Sequence, residues 1–178
     1  MMRAAVLSLL GMALLDVATA PAVAQVGQVE HRTLDTAGLR ALAERGGLEV
    51  AAIEAGTVVV RQGQGQDGGF PARLSLAGCD RDGQCRVVRI YTRFVIGDSA
   101  ASRAALMEHT KNFTDATYVL TLVQDEPAVD VGRDASLERG RTDGEVLGEI
   151  AAAMSDAQLL RDALMEADPF LKASLERP

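Results

Sequence analysis

Apolar positions along the chain switch repeatedly between a spacing near 3.6 and a spacing of 2, and the switches mark out the elements. Leu39, Leu42 and Ala43 share one helical face between Thr36 and Arg45, with Thr36 as the expected cap and Gly46-Gly47 as the stop. Leu48–Glu54 and Thr57–Gln62 then read as two strands around Gly56. Residues 63–69 are polar and glycine-rich, which predicts a loop. Gly63-Gln64-Gly65 resembles the start of a phosphate-binding loop, but the second half of that motif and its lysine are missing.

The next hairpin carries the most information. Residues 72–79 and 85–94 alternate strictly around Asp80-Arg81-Asp82-Gly83-Gln84. Setting Cys79 opposite Cys85 brings Leu76 to Val88 and Leu74 to Ile90, with Phe94 on the same face. The other face then holds both cysteines, Arg73, Ser75, Val87, Arg89, Tyr91 and Arg93. A slip of one residue would mix the two sets, so alternation and cysteine spacing specify one register.

Residues 98–113 predict a second helix that buries Ala101, Ala105, Leu106 and Phe113. A second hairpin follows, 116–123 with 128–136 around Gln124-Asp125-Glu126-Pro127, setting Leu122 against Val129 and Leu120 against Val131. Thr142 and Glu145 form a capping box for a last helix to about Met165, with a stripe of Val146, Ile150, Leu160 and Leu164. Asp168-Pro169 repeats a cap-and-proline start, which predicts a short tail helix from Phe170 to Arg177. Strands that arrive as hairpins predict an α+β fold, a mainly antiparallel sheet with helices packed on it. A doubly wound nucleotide-binding fold is disfavoured.

The first 24 residues change the picture of where this fold works. Arg3, the apolar run Ala4–Leu15 and the small-x-small site Ala22-Val23-Ala24 predict a cleaved export signal, 1–24. The run is shorter than the roughly 20 apolar residues a membrane span needs, so no stable anchor is expected. The expected division is a flexible N-terminal segment 25–35, a domain 36–166 and a tail 167–178. Cleavage removes one charge of each sign, so the net charge stays at -7. That balance argues against nucleic acid as a partner. An exported bacterial product of this kind is expected in the periplasm.

Export also decides the reading of the two cysteines. Cys79 and Cys85 close a short loop in an oxidising compartment, which predicts a disulfide worth about 2 kcal/mol by loop entropy. A redox-active pair would want Cys-x-x-Cys spacing. Asp80-x-Asp82-Gly83 resembles the opening of a calcium loop but lacks the later ligands, so a turn is expected and no metal or cofactor. Of the two histidines, His31 is expected to be solvated. His109, beside Glu108 and near Lys111, is the one conceivable general base, read as a surface or partly buried residue because no nucleophile accompanies it. The expectation is a protein that is not an enzyme. Arg73, Arg89 and Arg93 around Tyr91 form a local basic patch that could hold an acidic peptide segment.

Taken together, the capped helix ending in Gly46-Gly47, the run Cys79-Asp80-Arg81-Asp82-Gly83-Gln84-Cys85, the alternating strand to Phe94, the Ala116-Thr117-Tyr118 strand and the Thr142-capped helix resemble the YbjN-domain family. Members of that family are bacterial proteins named as sensory-transduction regulators, and the resemblance runs from about Leu39 to Leu164. It implies a fold like that of type III secretion chaperones, no enzymatic activity, and a protein-binding or regulatory role. A homodimer is expected by analogy with the chaperones. Met107-Glu108-His109-Thr110 stands where family members often carry Asn-x-Trp-Asn, so no role for that motif transfers. A further reading is a small-ligand sensor with an apolar pocket between sheet and helices, lined by Leu74, Ile90, Phe94, Leu120 and Leu122.

Overall fold

A computed structural model describes residues 29–62, 71–112 and 115–168. Among these, the elements run β1 (Glu30–His31), α1 (Thr36–Arg45), β2 (Leu48–Glu54), β3 (Thr57–Gln62), β4 (Ala72–Cys79), β5 (Cys85–Val95), α2 (Ala100–Asn112), β6 (Thr117–Val123), β7 (Glu126–Ser136), β8 (Arg141–Thr142) and α3 (Asp143–Ala167). Strands β2 to β7 build one antiparallel sheet in the order β2-β3-β4-β5-β7-β6. The α+β class and the antiparallel sheet agree with the sequence reading. The expected signal 1–24, the glycine-rich loop and the tail helix from Phe170 lie outside the described residues.

All three helices pack against one face of the sheet. α1 covers β2 and β3, α3 runs along β5 and β7, and α2 rests on α3. The inward positions of the β4–β5 hairpin are those the alternation selects: Leu74 pairs with Ile90 and Leu76 with Val88, and Cys79 faces Cys85. The two sulphurs are bonded. α3 begins with the expected capping box, Thr142 accepting from the Glu145 N–H while Glu145 accepts from the Thr142 N–H.

Apolar side chains form two clusters along the sheet. One holds Leu39, Leu42, Leu74, Val88, Ile90 and Ile150, and the other Phe94, Val129, Val131, Leu160 and Leu164. A polar seam separates them on the three elements that carry both: Thr92 on β5, Arg133 on β7 and Asp156 on α3. Arg133 Nε donates to Asp156 Oδ2 at 2.8 Å across the sheet–helix interface.

Five expectations change. Asp35, not Thr36, caps α1. It is the last residue with extended backbone, and its Oδ1 accepts from the Gly38 N–H at 2.7 Å. Residues 29–35 are not a loose leader: β1 pairs with β8, and Leu34 exchanges backbone hydrogen bonds with Cys85 at 2.9 and 2.8 Å. That pairing buries Cys85. His31, expected in solvent, donates from Nε2 to the buried Asp143 at 2.5 Å, and Arg45 donates to both Asp143 oxygens at 2.9 and 3.2 Å.

The β6–β7 register differs by two residues from the expected one. Leu120 pairs with Val129 and Leu122 with Pro127, because the turn holds only Gln124 and Asp125, both at positive φ. Such two-residue turns match the twist of a hairpin. Pro127 is accommodated because it lies where the β5–β7 ladder ends: its carbonyl accepts from the Ile96 N–H, and its missing N–H forfeits at most a terminal bond. Finally, α2 buries Ser102, Leu106 and His109 and leaves Ala101 exposed. Phe113 lies outside the described residues.

Candidate functional site

On the sheet face away from the helices, Gly132 of β7 lies between Tyr91 of β5 and Thr117 of β6. A residue without a side chain at the middle of three paired strands leaves a hollow. Here it is a shallow depression of about 420 Å³, bordered by Arg89, Tyr91, Arg93, Thr117, Val119 and Asp130. Three of the four residues singled out in the sequence thus meet at one place. Arg73 stands on β4 directly opposite Tyr91, one strand further from the hollow.

The face is not the basic patch that the sequence suggested. Each arginine meets a carboxylate from another strand, Arg89 and Arg93 from the adjacent β7 and Arg73 from β2, two strands away. Arg93 forks onto Asp130, Nε to Oδ1 at 2.6 Å and Nη2 to Oδ2 at 2.7 Å. Arg89 lies 3.7 Å from Asp134, and Arg73 donates to Glu54 at 3.1 Å. The cause is register: Arg89 and Arg93 fall opposite Asp134 and Asp130, so cross-strand pairs carry opposite charge. The Arg93 guanidinium also stands 5.9 Å from the centre of the Tyr91 ring. Chemically the hollow offers an aromatic wall, a forked donor and adjacent acceptors, a set suited to a peptide surface of mixed polarity.

The other candidates have different fates. Asp80 Oδ1 accepts from the Asp82 and Gln84 N–H groups, both at 2.9 Å, so this carboxylate builds the turn. The five residues of the supposed apolar pocket do not enclose one. Leu74 and Ile90 belong to one core cluster and Phe94 to the other, while Leu120 and Leu122 are exposed. Among the described residues no helix is long and apolar enough to cross a membrane.

His109 is more buried than the sequence suggested, and its ring meets Tyr118 edge-on at 5.8 Å. Burial pushes its imidazole below the ordinary value, against an opposing pull from the Asp156 charge. Burial likewise drives the Tyr118 phenol up to about 12. The unfolded chain therefore takes up a proton near pH 6.5 that the folded chain resists. Stability from this site is complete above that pH and declines as pH falls below it. Asp143 acts in a lower window. Burial pushes its carboxyl up, but hydrogen bonds from Arg45 and His31 outweigh this and hold it below the usual range, so its contribution is lost only as pH falls below about 4. Urea titrations of the wild type and of His109→Leu from pH 7.5 to 5 should converge as pH falls, the wild type losing more stability. Parallel profiles would contradict this account.

Compared with solved structures, the chain is similar to the crystal structure of YbjN, a proposed transcription regulator from E. coli. The match has 16% sequence identity, covers 72% of this chain and 87% of that one, and has a TM-score of 0.54. No protein-family profile and no curated protein matches the chain. The structural likeness shows that the domain has the YbjN-like fold.

Proposed function

We propose that this YbjN-like domain is a non-enzymatic, exported regulatory domain that acts in the periplasm by binding another protein on the open face of its sheet. The observation that carries the reading is the hollow at Gly132, ringed by Arg89, Tyr91 and Arg93 on a face that none of the described helices covers. Tyrosine and arginine are the residues that most often anchor protein interfaces, because each buries a large rigid group and keeps a directional hydrogen bond. Arg3, the apolar run behind it and Ala22-Val23-Ala24 support export, as does the bonded pair Cys79–Cys85. A regulatory role follows if the bound protein is the element that responds.

The test compares the wild type with Tyr91→Ala/Arg93→Glu in affinity capture from periplasmic extract of the source cell, quantified by mass spectrometry. Both changes lie on the open face and should leave the circular dichroism spectrum unchanged. A protein captured by the wild type and reduced at least tenfold by the double variant is the expected result. Equal capture by both proteins overturns the assignment of this face, and no capture above background by the wild type overturns the protein-binding reading.

A further inference from the structure

The sheet has two edges, and they are built differently. On β2 the edge carries Glu49 and Glu54, and a bulge between Val50 and Ala52 breaks its regularity. Charges and bulges are how sheets discourage pairing with another strand. The opposite edge, β6, reads Thr117-Tyr118-Val119-Leu120-Thr121-Leu122-Val123. It has no charge, no proline and an unbroken register against β7. Its residues are also strong strand formers.

The same edge is where the described helices leave the apolar face uncovered. Leu120 and Leu122 point toward the helix side, as Tyr118 does, yet they remain 72% and 65% exposed. Met107 of α2, 64% exposed, faces the same groove of about 390 Å³. A paired edge and a filled groove would therefore bury one continuous apolar strip.

We infer that β6 is a self-association edge, to which a second copy of the chain adds its own β6 in antiparallel orientation about Leu120. The register follows from the turn. In a two-residue hairpin the closing pair, here Val123 and Glu126, exchanges both backbone hydrogen bonds, and bonded pairs then recur at every second residue. Thr117, Val119, Thr121 and Val123 thus point their backbone groups at β7, and Tyr118, Leu120 and Leu122 point theirs outward. A two-fold axis at Leu120 sets Leu120 against its own copy and Tyr118 against Leu122, giving roughly six backbone hydrogen bonds across the interface.

Charge and shape select a copy of this chain as the occupant. Each copy carries a net -7, so any self-contact rich in side-chain charge would repel. This strand is uncharged along its whole length, so the ladder brings no like charges together. On the helix side the pairing joins aromatic to aliphatic side chains, a favourable cross-strand combination. On the other side it sets Val119 against Thr121, and the two sheets become one. The contact is isologous and closes at two copies. A strand of this length spans about 23 Å, which places the interface toward the small end of the stable range and predicts a micromolar dimer.

Sedimentation equilibrium of the exported chain at about 1 to 300 μM should show a monomer–dimer equilibrium. Leu120→Lys should weaken it at least tenfold. The side chain is exposed in the monomer, so the thermal midpoint of the variant at low concentration should match the wild type. Leu120→Cys should form a covalent dimer under mild oxidation at least tenfold faster than Thr117→Cys, because only position 120 meets its own copy. A wild type that stays monomeric throughout overturns the proposal, whether the edge is left to a foreign strand or to residues 169–178. So does a dimer that Leu120→Lys leaves unchanged, or equally fast cross-linking at both positions.

Discussion

Gly132→Ala should unfold the domain far more readily than any other single-methyl change in the sheet. A Cβ at this position would lie 1.8 Å from the Ile90 carbonyl oxygen and 2.8 Å from both the Ile90 carbonyl carbon and the Tyr91 Cα. These are backbone atoms of the paired strand, so no rotamer change can relieve the clash, and β5 and β7 must separate locally. Their pairing is continuous from Val87 with Ser136 to Val95 with Ala128, and it joins both apolar clusters. A cost of about 3 to 5 kcal/mol is expected, the range reserved for overpacking and broken backbone contacts. Gly148→Ala supplies the contrast. It lies in the second turn of α3, where a Cβ meets nothing within 4 Å, and alanine there should stabilise the helix by about 0.5 to 1 kcal/mol. Urea midpoints of the two variants should move in opposite directions. An unchanged midpoint for Gly132→Ala would mean the strands do not approach as closely as described.

Gly132 lines the hollow on the open face, and its missing side chain is what lets β5 and β7 close there. This part was hidden in the sequence. Glycine in a strand signals a bulge or a close approach, but not which neighbour approaches. The β4–β5 register, by contrast, was legible because two independent signals, Cys79 with Cys85 and the run of alternating residues, had to agree. Between β6 and β7 only alternation was present. It identified the faces correctly and left the register open by two, and Pro127 drew the turn too wide because its tolerated place at the end of β5 is a tertiary fact.

Alternation also says which side a residue points to and nothing about what covers it. Leu120 and Leu122 point to the helix side as expected, but α2 packs toward α3 and leaves them open. The charge of the arginine face failed for a similar reason. Arg89 and Arg93 are conspicuous in β5, while the aspartates that neutralise them lie about forty residues away, in register only once β7 is aligned. His31 and residues 29–35 read as a leader because their partners, Asp143 and Cys85, are further away still in sequence.

The sequence carries one further signal, in two broken patterns. Arg133 interrupts the inward series Val129, Val131 and Ala135 on β7, and Asp156 interrupts the buried stripe of α3 between Ala153 and Leu160. Two opposite charges, each at a position that should be apolar, are a request for one another. In the structure they meet in the seam between the two clusters, with Asp156 buried and Arg133 keeping a solvent-exposed edge. Asp156→Ala should therefore cost about 2 to 4 kcal/mol, below the most severe cases because the stranded guanidinium can still reach water. Arg133→Met should be costly too, since it leaves a buried carboxylate with its principal donor gone. The double variant Arg133→Met/Asp156→Leu removes both charges and fills the seam with apolar groups of similar size. It should be more stable than either single variant, because the desolvation cost disappears with the pair. Urea unfolding of the four proteins measures the coupling directly. If the single changes simply add in the double, the two groups do not depend on each other. If they compensate, the seam contributes specificity of placement: a charge pair at one point along α3 penalises sliding the helix by a turn over the sheet, which an unbroken apolar stripe would permit.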